Sequence, residues 1–150
     1  GISGIDWFIL SDGDDPGGNS FSSMGCYQDL GSATPDTAAR TPTGEAYRTL
    51  GALLEDAAHD PTATAALALP PAVRGAAFVT AAGKKALVLW ARATGNTEDA
   101  AASYSLTTTA TWNSFAWNAA ASGMTSTPLS PSAGAIALDL TSTPVFLVEP

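Results

Sequence analysis

The densest run of chemistry-bearing side chains is Asp12-Gly13-Asp14-Asp15-Pro16-Gly17-Gly18-Asn19-Ser20. Three carboxylates and an amide on a short Gly-rich loop are oxygen ligands of the kind a hard cation such as Ca²⁺ takes. The EF-hand spacing is broken, because Pro16 stands where the third oxygen ligand belongs. The favoured alternative is a solvated turn whose Asp side chains accept from backbone amides. Neither a metal nor a cofactor is expected. Cys26 and His59 are the single cysteine and histidine. One cysteine excludes an intrachain disulfide and a Cys-based zinc site. Cys26 sits in a long loop with no accompanying His signal, so a catalytic thiol is not expected. His59 falls near the end of a helical stretch, where a partial positive charge suits the dipole, and a structural or surface role is expected. Gly-x-Ser-x-Gly, P-loop and dinucleotide fingerprints are absent.

Aromatic side chains are the other candidates. Trp90, Trp112, Trp117 and Tyr104 would serve a polysaccharide if they formed one flat stacking platform. Trp112 and Trp117 differ by an odd number, so on a straight strand they point to opposite faces. Trp90, between aliphatic neighbours in Leu87-Val88-Leu89-Trp90-Ala91, reads as core. Packing is therefore the expected role of these rings.

Charge narrows the partners. Residues 1–60 carry ten acids against Arg40 and Arg48, a balance of -8, which is also the net charge of the whole 150-residue chain. Residues 61–150 are neutral, with four acids against four bases. Such a surface has nothing to neutralise a run of phosphates, so nucleic acid is excluded as a partner. Apolar residues make up 45% of the chain, enough for a packed core. No stretch approaches 18 uninterrupted apolar residues, so no membrane-spanning helix is expected. No basic segment precedes an apolar run, so no signal peptide is read, and Gly1 is not expected to be the natural start.

These side chains must be positioned by two regions of different grammar. Gly4 to Leu10 is a short apolar run with little alternation, as in a strand covered on both faces. Residues 11–40 form a loop of a length more often functional than idle. A helix follows, with Thr41 as N-cap and Pro42 in its first turn. Tyr47, Leu50, Leu54 and Ala57 share one face of it, and Pro61 ends it. Residues 62–72 read as a small-residue connector. Strands are then expected at Val73–Thr80, Ala86–Ala93, Ser103–Thr109, Thr111–Asn118, Ala135–Leu140 and Val145–Val148, with a turn at Ala82-Gly83-Lys84. Ile136, Leu138 and Leu140 fall on one face of theirs. Six strands at this spacing predict an antiparallel sandwich.

In this order the pieces resemble the end of a clan A glycoside hydrolase, a retaining (β/α)8 enzyme of the xylosidase and iduronidase kind or a bacterial relative. Gly4-Ile-Asp-Trp-Phe-Ile-Leu-Ser-Asp12 is similar to the eighth barrel strand of that group. Thr41-Pro-Thr-Gly-Glu-Ala-Tyr-Arg-Thr-Leu50 resembles the start of the eighth helix, with Thr43-Gly44 departing from the Pro-Lys-Pro-x-Tyr pattern of relatives. Leu87-Val-Leu-Trp-Ala91 and Thr143-Pro-Val-Phe-Leu-Val-Glu149 are similar to pieces of the C-terminal β-domain. The resemblance implies that the acid/base and nucleophile glutamates, which retaining chemistry sets about 5–5.5 Å apart, lie upstream of Gly1. No catalytic residue is then expected within the chain. It also places Trp7 at the C-terminal end of a barrel strand, where an aromatic face meets a sugar ring. Asp12 and Asp14 would lie beside the same cleft, within reach of sugar hydroxyls.

The expected fold is mainly β, an antiparallel sandwich of about six to eight strands preceded by a strand-loop-helix unit. Residues 1–60 are the barrel remnant, 61–72 the connector and 73–150 the sandwich domain. The expected function is the C-terminal segment of a glycoside hydrolase, inactive alone, with the sandwich as an accessory structural domain. A stand-alone carbohydrate-binding module, or a structural or adhesive β-sandwich, is the alternative. Expected partners are a carbohydrate substrate in the full-length enzyme and the upstream part of the same protein. Self-association is expected if the barrel strand and helix leave apolar surface uncovered. By the resemblance, the protein is secreted or periplasmic.

Overall fold

A computed structural model describes residues 25–28, 30, 31, 33, 34, 36–94 and 99–150. The expected strand at Gly4–Leu10 lies outside these residues. The chain divides into two compact units, residues 1–48 and 49–150.

Helix α1 spans Pro42–Leu54. Thr41 begins it as the sequence suggests: Gly44 N–H donates to Thr41 Oγ1 at 3.1 Å. The same hydroxyl donates to the Gly25 carbonyl, so the cap also ties the helix start to the preceding loop. Gly44 is needed there, because a Cβ would fall 2.0 Å from the Cys26 carbonyl oxygen. The helix stops earlier than its apolar spacing suggests. Asp56 adopts a φ of 56°, a left-handed conformation that Asp tolerates and that cannot continue a helix.

Ala58–His59 then form a two-residue strand, β1, which the sequence reading missed. Helix α2 follows at Pro61–Ala66, so half of the expected connector is helical. Its start is set by Asp60, whose Oδ1 accepts from Ala63 N–H at 2.8 Å, with Pro61 in the first position.

The remaining strands are β2 (Val73–Val79), β3 (Lys85–Ala91), β4 (Ala101–Thr107), β5 (Trp112–Ala116), β6 (Thr127–Leu129), β7 (Ala135–Thr141) and β8 (Val145–Val148). Strand β6 was not expected, and it is short and centred on Pro128, which suits a sheet edge. Six strands form one antiparallel sheet in the order β1-β2-β3-β8-β5-β6, and β4 pairs with β7 in a second. The β2–β3 turn closes with Gly83 at φ +75° and Gly83 N–H donating to the Thr80 carbonyl. The fold is thus mainly β and antiparallel, with a helix ahead of the sheets.

The core lies between the two sheets. Val73, Ala77, Leu87, Leu89 and Leu147 of the large sheet meet Leu106, Ile136, Leu138 and Leu140 of the small one. Strand β7 buries Ile136, Leu138 and Leu140 and exposes Ala137, Asp139 and Thr141, as period two requires. Close approach is built in at Gly75, where a Cβ would fall 2.3 Å from the Val88 carbonyl oxygen. Trp90 corrects its expected core role. In β3 it alternates with Leu89 and Ala91, so it stands on the opposite face of the sheet and is only half-buried.

Candidate functional site

Trp7, Asp12 and Asp14, the side chains singled out for sugar contact, lie outside the described residues, as does the rest of the acidic loop. Among the described residues no group of three or more His, Cys, Asp or Glu is placed to hold a metal ion. Cys26 is buried, and burial pushes its thiol pKa above the ordinary value. A raised thiol pKa means less thiolate, which is the reverse of what a nucleophile needs.

His59 does not sit at a helix C-terminus, because α1 has already ended. It lies in β1 at an exposed position, its ring 5.8 Å from that of Phe78. Its Nε2 is 3.1 Å from Thr64 Oγ1. That hydroxyl donates to the Asp60 carbonyl at 2.8 Å and accepts from Ala77 N–H at 2.9 Å. With its proton committed to Asp60, Thr64 accepts from the imidazole, so His59 carries its proton on Nε2. The arrangement ties β1, α2 and β2 together.

The aromatic platform does not form. Trp112 is 5% exposed and belongs to the core, and its Nε1–H donates to Thr108 Oγ1 at 3.3 Å. Trp117 follows β5 in a turn and lines a cleft of about 350 Å³ together with Leu138, Leu140 and Val145. Trp90 stands on the outer face of the large sheet. Three indoles in three environments offer no common plane.

The sandwich unit instead carries a cleft of about 640 Å³. Its walls come from α2, β3, β4 and the turn after β4, and Leu67, Leu87 and Trp112 supply apolar lining. Polar atoms converge on it. The Tyr104 hydroxyl donates to the Leu67 carbonyl at 2.6 Å, and burial raises its pKa above the ordinary 10.0. Thr108 Oγ1 accepts from Trp112 Nε1–H and also from Ala110 N–H at 3.1 Å. Across from them Lys85 N–H donates to Glu149 Oε2 at 3.1 Å, and Lys85 Nζ lies 3.9 Å from Glu149 Oε1. Asp60 completes the charged lining and already caps α2. Its carboxylate and that of Glu149 are each engaged in holding local structure. Sequence reasoning missed this cleft because its members come from segments far apart in the chain. The one readable hint was the hydroxyl run Thr107-Thr108-Thr109 at a strand end.

No protein-family model and no curated protein matches the sequence. Among solved structures, the fold is similar to that of a family 39 glycoside hydrolase from the gut symbiont Bacteroides cellulosilyticus WH2. The likeness has a TM-score of 0.60 at 15% sequence identity and covers 94% of this chain. The chain spans only 25% of the length of that enzyme.

Proposed function

We propose that the chain is a segment of a glycoside hydrolase, in which the β-sandwich braces a catalytic body and takes no part in bond cleavage. The observation that carries this reading is the extent of the fold likeness. It runs over 94% of the chain against one quarter of a family 39 glycoside hydrolase. A likeness confined to the sheets would fit any antiparallel sandwich. This one is too long for that, since β2 to β8 make up only about half of the residues.

In this reading the two catalytic glutamates lie upstream of residue 1, as the clan A resemblance implies. Trp7, Asp12 and Asp14 contribute contacts to the substrate sugar in the complete enzyme. The partner of the sandwich is the upstream part of the same protein, which is secreted or periplasmic. Self-association is expected of the chain in isolation.

The test is an assay of the isolated chain on aryl xylosides and glucosides. No turnover above the buffer rate is expected. Turnover that disappears in Asp12→Asn or Asp14→Asn would place the reacting acids within the chain and overturn the reading.

A further inference from the structure

We infer that the cleft between α2 and the end of β4 is a binding site for a short neutral saccharide. The inference goes beyond the bracing role and stands or falls independently of where the catalytic glutamates lie.

The hydrogen-bond inventory of the cleft carries it. Tyr104 has spent its proton on the Leu67 carbonyl, so its oxygen can still accept. Thr108 is the converse. Its oxygen accepts from both Ala110 N–H and Trp112 Nε1–H, so its own proton is left to donate. A donor and an acceptor, each fixed by a bond to the protein, thus belong to residues that line one cavity. A sugar hydroxyl is both donor and acceptor and satisfies such a pair, whereas a purely apolar ligand would leave both unpaired. Thr107 and Thr109 add hydroxyls at the same wall.

Charge disfavours an anionic ligand. Lys85 is matched by Glu149 across the strand edge, and Asp60 is the remaining charge in the lining. An anion would meet Asp60 and Glu149. A polyol without charge avoids that penalty. Leu67, half-buried at the cleft wall, supplies apolar contact for the C–H edge of a pyranose. The volume, about 640 Å³, lies within the usual range for small-molecule sites.

The experiment titrates the ¹⁵N-labelled 150-residue chain with xylobiose, cellobiose and maltose, and with digalacturonate as a charged control. The readout is the backbone amide shifts of residues 107–110. At least one neutral disaccharide is expected to shift them saturably, with a Kd of about 1 mM. Ala110→Trp, an exposed lining position whose enlargement fills the mouth, should abolish the shifts while leaving the thermal midpoint in place. Tyr104→Phe should weaken binding about tenfold, as loss of one hydrogen bond implies. If Tyr104→Phe does not fold, the Ala110→Trp result decides. Three outcomes would overturn the site: no saturable shift by any neutral disaccharide up to about ten times that Kd, unaltered binding by Ala110→Trp, or a response to digalacturonate alone.

Discussion

Strands β3 and β7 meet across the core yet are written in different ways. Strand β7 is amphipathic: Ile136, Leu138 and Leu140 are buried, and Asp139 between them is exposed. Strand β3 is apolar on both faces, with Leu87, Leu89 and Ala91 facing the small sheet and Ala86, Val88 and Trp90 facing away. The neighbours continue its outward face, since Phe146 pairs with Val88 and with Phe115. That face is not open either: Ala86 is 1% exposed and Phe146 is 5% exposed. A sheet flanked by solvent on one side needs only one apolar face per strand. The small sheet follows that rule. The large sheet does not, because β3 is apolar on both faces.

The comparison can be broken by substitution at adjacent positions of β3. Leu89 is wholly buried in the inter-sheet core, so Leu89→Ala should cost about 3 kcal/mol in chemical denaturation. Val88→Ala, one residue away on the half-buried outer face, should cost about 1 kcal/mol, since fewer buried atoms are lost there. Equal costs would mean that the two faces are equally packed.

The close approach of β2 and β3 gives a sharper, smaller test. A Cβ at Gly75 would meet the Val88 carbonyl oxygen at 2.3 Å and Leu89 Cδ2 at 2.6 Å. Backbone cannot yield as a flexible side chain can, so Gly75→Ala should destabilise by about 2 kcal/mol. A neutral Gly75→Ala would mean that the strands slide apart at little cost.

The smallest effect belongs to the small sheet. Tyr104→Phe removes the bond to the Leu67 carbonyl and should cost about 1 kcal/mol. The pH dependence of that site has a definite sign. Burial raises the Tyr104 pKa, so the unfolded chain loses the phenolic proton first as pH rises. The contribution is therefore intact below pH 10.0 and is lost as pH climbs through the folded-state value. Stability of the parent measured from pH 8 to 11 should fall more steeply than that of Tyr104→Phe.

Much of the fold was legible because period-two patterning is a local property. Val145–Val148 and the buried triplet of β7 could be read directly, and the cap at Thr41 followed from its place before Pro42. What escaped reading depends on distant partners. Ala58–His59 form a strand only because Val79 and Phe78 stand opposite, and Thr127–Leu129 only because Ser114, Asn113 and Trp112 do. Trp90 was misplaced for a related reason. A run that is apolar throughout does not say which of its faces looks into the core.

The sequence by itself determined the class of fold, the turns, the helix start and the imbalance of charge, since each depends on neighbours within a few residues. The tertiary structure alone decided which face of β3 became the core and how the strands were ordered into two sheets. It also brought Tyr104, Thr108, Lys85 and Glu149 around one cleft. The physical reason is distance along the chain. Glu149 meets Lys85 across 64 residues and Tyr104 meets Leu67 across 37, and no local pattern encodes a contact that only the closed sandwich creates.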